Sequence, residues 1–518
     1  MDDILWKVLE TTALSSIPRK GSENYATKIV IPGLPDKSYQ EWIVRQPIRL
    51  GGFGLRSQVE LSPAAFIGAV EQVLPSFVGA KGVCPQLAHL IGSMDDIKSR
   101  WQTLLMSGCR TGQELLLAWQ TLQTEAQYMC EFLGEELVAP LSVSVEEIGE
   151  GSTDGSTRKK IVEQRETLRG ATLTKALEKH ADQAARPVWV WPQLDKLSSA
   201  WLLSLPGPQN GLTSDIFSEA VCTNLCLPSP VCRDRVGERI GKTRVDLFGD
   251  KVMAAQLPGD TWRMRHDVVK TELNRLFFWS SMPSTCEVFG VFSHLIPQEG
   301  LNRLERGRER QGMVPDFMLG VTSPTGGKEN RLAELKVLNC CLSRYPPGNK
   351  AKAVDRRANL LQGEYRRKAR NADRIYGGHN SDNIGPVERK LLQFGDVIGI
   401  VVGAFGEGSE DLHDLIQQLA ESRARSMGLR RGRESSEAEL GIIVGQIRRA
   451  LSTTFVRAQA QCLLMRMNCL GQGYSKAAQR RQWAVKEEER TKWERQAQWI
   501  SRIRGRKLVS RGQFLLPQ

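Results

Sequence analysis

The period of apolar and polar positions changes along this chain, and the changes outline its elements. In 261–279, TWRMRHDVVKTELNRLFFW, apolar residues recur at helical spacing, which predicts an amphipathic helix with Val268, Leu273 and Leu276 toward a core. TCEVFGVF at 285–292, VPDFMLGV at 314–321 and RLAELKVLN at 331–339 are short runs rich in Val, Phe and Leu, the residues of half-buried strands. Between the last two, TSPTGGKEN carries Pro324, Gly326-Gly327 and Asn330, so a turn joins them into a hairpin. A long helix follows at 353–377, basic on one face, with Leu360, Leu361 and Tyr365 inward. DVIGIVVGAFG at 396–406 reads as a buried strand and 409–428 as a closing helix. This alternation predicts a compact α/β domain over 263–425, a mixed sheet flanked by helices.

The flanks read differently. Residues 1–145 are mixed and mostly helical, with RQPIRLGGFGLRS at 45–57 followed by helical periodicity through Phe66, Val70 and Val73. Residues 146–205 combine a polar linker, IGEGSTDGSTRKK at 148–160, with a helical segment. Residues 206–262 hold a cysteine cluster, Cys222, Cys226 and Cys232. Residues 426–518 are helical and increasingly basic: after Gly471, twelve Lys/Arg stand against four Glu, with Trp483, Trp493 and Trp499 interleaved. A length of 518 residues allows two to four domains.

Charge and cysteine usage narrow the partners. A formal net charge of +13 favours an anionic partner, most simply nucleic acid, against the plainer reading of a basic but inert surface. Eleven irregularly spaced cysteines point to free thiols in a reducing, intracellular compartment, not to a disulfide framework. No run of about 18 apolar residues is present, so no membrane span is expected.

The candidate chemistry lies on the hairpin. Side chains alternate along a strand, so Glu334 and Lys336 share one face while Leu335 and Val337 enter the core. Asp316 can meet them from the neighbouring strand. Two carboxylates and an amine at a sheet edge suit a divalent metal with an attendant cation, because Mg²⁺ takes one or two protein carboxylates and keeps water and phosphate oxygens as its remaining ligands. Glu272 on the preceding helix is a candidate accessory acid, and Gln362 and Tyr365 on the following helix are further accessory candidates. Arg356, Arg357, Arg366, Arg367, Lys368 and Arg370 on that helix suit a DNA backbone. The plain alternative is a solvated strand and helix face.

The order of elements, with PD on the second strand and ExK on the third, resembles the PD-(D/E)xK restriction-endonuclease-like fold. That resemblance implies Asp316 and Glu334 as ligands of Mg²⁺ or Mn²⁺, with Lys336 positioning the water or neutralising the phosphate. FGDKVMAAQLPGDTWRMRHDVV, then VPDF, then GIVVGAFGEGSEDLHDLIQQLAESRA, is similar to the C-terminal restriction-like endonuclease of non-LTR retrotransposon reverse-transcriptase polyproteins. QPIRLGGFGLRSQVELSPAAFIGAV looks like the segment just beyond the polymerase palm in those polyproteins, and SSAWLLSLPG then FSEAV like the stretch before their Cys/His knuckle. The resemblance runs through scattered motifs over about 45–425. It implies nicking of target DNA, with Arg263, Arg265 and His266 beside Arg366, Arg367 and Lys368 as nucleic-acid contacts, a nuclear location, and DNA and then element RNA as partners. It also implies residues 1–145 as a thumb-like remnant beyond an absent palm.

The sequence departs from that pattern at the knuckle. Lys251 stands where the family tends to have His, and no Cys follows Cys232 before Cys286, so a degenerate knuckle without zinc is expected. His266 reads equally as a hydrogen-bonded histidine at a helix start. SMDDI at 93–97 resembles a polymerase turn, but Ser93 before Asp96 and Ile97 reads better as a helix N-cap, and no reverse transcriptase activity is expected. A catalytically inactive relic that only binds nucleic acid is the alternative to an active endonuclease.

Overall fold

The computed structural model describes short pieces at 28–29, 37–38, 43–55 and 61–69. It then describes 110–134, 156–179, 195–204, 211–255, 261–299, 313–322, 328–346, 352–376, 384–427 and 434–468, apart from a few single positions within these ranges. The expected N-cap at Ser93 and the basic tail beyond Asn468, with its tryptophans, lie outside the described residues. No described helix is long and apolar enough to cross a membrane.

The protein is mixed helix and sheet. Among the described residues its helices, in chain order, include α1 (Arg110–Leu133), α2 (Ser156–Lys179), α3 (Ser214–Asn224), α4 (Asp250–Ala254) and α5 (Thr261–Trp279). They continue with α6 (Ala353–Tyr376), α7 (Pro386–Leu392), α8 (Glu410–Ser426) and α9 (Glu434–Asn468). Two small strand pairs, β1 (Lys28–Ile29) with β2 (Lys37–Ser38) and β3 (Arg239–Ile240) with β4 (Thr243–Arg244), stand apart from the main sheet.

That sheet has four strands in the order β5 (Ser284–Cys286), β6 (Phe317–Thr322), β7 (Lys328–Val337) and β8 (Ile398–Val402). β5, β6 and β7 are antiparallel neighbours, and β8 joins β7 in parallel. A parallel neighbour needs a long crossover, and α6 and α7 lie in the connection from β7 to β8. β8 is buried at every position, which suits its continuous IGIVV run. α8 starts with Ser409, whose hydroxyl accepts the Leu412 N–H and also bonds the β8 backbone at Gly399 and Val401.

Four details differ from the sequence expectations. Along α5 Leu273 and Leu276 are buried as expected, with Val269 and Phe277 beside them, but Val268 is only half-buried, its place in the core taken by Val269. Leu360 is 57% exposed while Leu361 and Tyr365 are buried, because adjacent helical positions point about 100° apart. The strand expected over 285–292 ends at Cys286: Glu287 turns to a left-handed φ of 50°, and Glu287 and Val288 hydrogen-bond instead to the carbonyls of Asp316 and Pro315. The helix α2 begins at Ser156, inside the expected linker, and runs into the fully buried Ile161.

One large cluster of buried residues joins segments that are far apart in sequence. It includes Ile43 and Phe53, Leu173, Trp201, Val221, the α5 residues Val269 and Leu273, strand residues of β6, β7 and β8, and Ile447, Leu451 and Phe455 of α9. α9 therefore lies along α5 and closes the core behind the sheet. A second cluster, with Leu332, Tyr365, Ala369, Val387 and Leu391, sits between the sheet and α6–α7.

Candidate active site

The β6–β7 hairpin places the expected residues by its register. Phe317 stands opposite Ala333, the last pair of the ladder at this end. One residue earlier β6 leaves the ladder, and the Asp316 carboxylate takes over as acceptor: the Leu335 N–H donates to Asp316 Oδ2 at 3.0 Å. Leu335 is the residue between Glu334 and Lys336, so Asp316 is pinned at their level on the sheet. Glu334, itself buried, accepts the Tyr365 hydroxyl on Oε2 at 2.6 Å and bonds the Lys336 ammonium through Oε1.

α5 supplies a second set of partners for Asp316. His266 and Lys270 are four residues apart and so share a helix face. His266 Nε2 lies 3.3 Å from Asp316 Oδ2, and Lys270 Nζ lies 2.9 Å from Oδ1. Lys270 also bonds Glu287 Oε1 at 3.1 Å, and its ammonium sits 5.9 Å from the centre of the Phe317 ring. Burial works against the charges in this group, yet the charges win because they are paired. Burial lowers His266, but hydrogen bonds and charge from Asp267 and Asp316 outweigh it and raise the imidazole to about 9. Burial likewise raises Asp316, and the contacts with His266 and Lys270 reverse this and hold its carboxyl well below the usual range. Lys270 is raised in the same way by Asp316 and Glu287, against its burial. Tyr365 is pushed well up by burial and by the Glu334 charge, so its hydroxyl stays a donor.

No protein-family model matches this chain, and neither does any curated protein. The chemistry of the site therefore rests on its own geometry.

Two carboxylates of hard oxygen atoms at one level of a sheet edge are the donor type Mg²⁺ and Mn²⁺ take, and hydrogen bonds to their other lone pairs orient such ligands. Asp316 and Glu334 are of that donor type, and in this structure each is engaged by a cation, Asp316 by Lys270 and His266 and Glu334 by Lys336. Among the described residues, no group of three or more His, Cys, Asp or Glu side chains is placed to hold one metal ion.

Several expected residues lie elsewhere. Arg265, expected to contact nucleic acid, is buried: it donates to Asn339 Oδ1, Gln459 Oε1 and the Leu338 carbonyl, tying α5 to the end of β7 and to α9. One residue of helical rotation separates it from His266, enough to turn it from the site into the core. Glu272, the expected accessory acid, forms an ion pair with Arg275 at 2.5 Å; six residues from His266, it points to a different side of α5. Gln362 accepts the Val397 N–H at 2.9 Å and so braces the entry to β8, with its buried Nε2 lacking a hydrogen-bond acceptor. Among the nucleic-acid candidates, Arg263 and Arg367 are exposed.

On α6, Arg357 pairs with Glu364 and Arg370 with Glu388, while Arg366 lies 3.7 Å from Asp396. Lys368 stands 5.6 Å from the centre of the Tyr365 ring, and burial lowers its ammonium although Glu334 raises it. Lys336, Lys368 and Arg357 therefore form a basic rim beside Glu334.

Cys222, Cys226 and Cys232 are buried, and Lys251 is exposed on α4. Burial, with added charge from Glu219, Asp246 and Asp250, pushes the Cys232 thiol up to about 12, against a lowering contact from Ser229.

Sequence reasoning missed Lys270 and Glu287. The four-residue spacing from His266 was a signal for Lys270. Glu287 gave none, because it sits inside a run with strand composition.

Proposed function

We propose that this chain is a metal-dependent DNA endonuclease with the PD-(D/E)xK architecture, derived from the endonuclease end of a non-LTR retrotransposon polyprotein. The contact of Asp316 Oδ2 with the Leu335 N–H carries the reading, because it ties the first acid to the strand between Glu334 and Lys336. In this reading Asp316 and Glu334 hold one Mg²⁺ or Mn²⁺, which when bound supplies Lewis acidity for phosphodiester hydrolysis. Tyr365 fixes the orientation of Glu334 by donating to Oε2, and Lys336 neutralises charge on the phosphate. Lys368 and Arg357 on the rim, with the exposed Arg367, bind the DNA backbone. DNA is the substrate, element RNA the second ligand, and the nucleus the place where such a nick is made.

A plasmid-nicking assay with Mg²⁺ tests this. The protein should convert supercoiled plasmid to the open circle, and Asp316→Ala and Glu334→Ala should each abolish conversion while duplex binding persists. Metal-free nicking, or full activity in both variants, would refute it. A second reading, a relic that binds nucleic acid without cutting, is favoured by one observation: each carboxylate already has a cationic partner, Asp316 in Lys270 and His266 and Glu334 in Lys336. Binding by the unaltered chain with no nicking at any Mg²⁺ or Mn²⁺ concentration would select that reading.

A further inference from the structure

Lys270 occupies an unusual position for a residue with no role in the sequence pattern. Its ammonium is bracketed by two carboxylates, Asp316 Oδ1 at 2.9 Å and Glu287 Oε1 at 3.1 Å, and its side chain is only 14% exposed. Three separate elements meet there: α5, the chain leaving β5 and the start of β6. Glu287 is bound to the arrangement twice. Its side chain holds Lys270, and its N–H donates to the Asp316 carbonyl at 2.9 Å. It does so from a left-handed backbone, φ 50°, a conformation that costs a non-glycine residue free energy and marks a geometry imposed by its surroundings.

Two carboxylates converging on one cation is how a divalent ion is held, and here a lysine fills the place. Asp316 Oδ1 is directed to Lys270, while Oδ2 receives His266 and Leu335 on the side toward Glu334. An ion shared with Glu334 would take Asp316 Oδ2 from His266 and Glu334 Oε1 from Lys336 and leave Lys270 on Oδ1, whereas one between Asp316 and Glu287 would have to displace Lys270.

We propose that Lys270 is a built-in cation of this site: it holds the position between Asp316 and Glu287 that a second divalent ion would otherwise fill, so the site works with one ion, and Glu287 is the residue that keeps Lys270 there. This rests on the reading of Asp316 as ligand to a single divalent ion. Lys270 and Glu287 are positioning residues acting through Asp316. A fixed ammonium supplies its charge without dissociating, at the cost of one ligand position.

The test is direct Mn²⁺ binding to the full chain, by electron paramagnetic resonance of the free ion and by calorimetry. The unaltered protein should bind one Mn²⁺, and Asp316→Asn should lose it. Lys270→Met should bind two, and the double variant Lys270→Met/Glu287→Gln should return to one. Lys270→Arg, which keeps the charge, should bind one. Lys270→Gln carries the same expectation as the methionine variant should that variant fail to fold, as judged by its thermal melt. A purely structural ion pair between α5 and the sheet would change the melt and leave Mn²⁺ stoichiometry alone. One ion of unchanged affinity in a folded Lys270→Met or Lys270→Gln variant would overturn the proposal, as would a second ion that persists without Glu287. The unaltered chain reports separately: if it binds no Asp316-dependent Mn²⁺, the one-ion reading of the site falls, and this role for Lys270 falls with it.

Discussion

Glu407 shows at the scale of one residue how surroundings set chemistry. It is fully buried, accepts the Tyr345 hydroxyl on Oε1 at 2.7 Å and accepts the Phe405 N–H on Oε2 at 3.0 Å. Burial pushes its carboxyl up to about 8 despite those hydrogen bonds, helped by the charge of Asp195. Asp316 is half-buried yet shifts the other way, because it has two cations against it. The unfolded chain ionises Glu407 near the ordinary 4.5, while the folded protein keeps the proton until about 8. Its contribution to stability is therefore fullest below 4.5, declines as pH rises toward 8 and levels off above. Glu407→Gln mimics the protonated form and should gain stability relative to the unaltered protein between pH 5 and pH 8.5, by an amount on the order of a few kcal/mol. Thermal melts at the two pH values check this; an unchanged gap would mean that Glu407 is ionised in the folded protein. At this scale Asp316, Glu334 and Lys336 were readable as a candidate group because their types and spacing place two acids and an amine on one hairpin. Glu407 was not, since an acid beside glycines in GAFGEG gives no sign of burial.

At the scale of elements, α6 lies close against β8, the strand beside β7. A Cβ added to Gly399 would lie 2.7 Å from the Ala358 Cβ, so the helix can rest on the strand only where glycine meets alanine. Gly399→Ala should cost about 1–3 kcal/mol through overpacking. Ala358→Gly in the same chain should recover part of that loss, minus roughly 1 kcal/mol for glycine within a helix. A denaturant series on the two single variants and the double variant measures the coupling, and strict additivity would rule out the contact as the cause.

The cationic face of α6 belongs to the same scale. Replacing Arg366, Arg367 and Lys368 by Ala should weaken duplex binding for all sequences and flatten its salt dependence, by roughly 0.9 log unit per lost phosphate contact per tenfold salt. Because Arg366 lies near Asp396, the change should fall short of three contacts. A salt titration in which the triple variant matches the unaltered protein in affinity and slope would leave this face merely solvated.

At the scale of the molecule, α9 decides whether the sheet has a core. Ile447, Leu451 and Phe455 are buried in the same cluster as Val269 and Leu273, and Ser452 accepts the Trp201 N–H at 3.0 Å. Arg265 adds a polar tie through Gln459, buried between the helices. Phe455→Ala should therefore destabilise by about 3–5 kcal/mol. A chain ended at residue 433 should lose its cooperative melt, observed by circular dichroism, although every expected site residue is still present. Retention of a sharp transition in that shortened chain would show the sheet and its flanking helices to be self-sufficient.

Periodicity and turn composition by themselves determined the hairpin, α5, α6, β8 and α8, because those properties are local: a strand alternates, a helix repeats, and glycine and proline between two strands favour a reversal. They also marked Asp316, Glu334 and Lys336 as a group, since alternation puts Glu334 and Lys336 on one face. Helix phase to within a single residue was beyond them. Val268, Leu360 and Arg265 were each misplaced by about 100° of rotation, an angle settled only by what packs opposite. Only the tertiary structure brought Lys270 and Glu287 to Asp316 and laid α9 along α5, with Gln459 meeting Arg265 across 194 positions of sequence. Such contacts arise from burial and charge pairing between distant elements, and no local pattern in the chain encodes them.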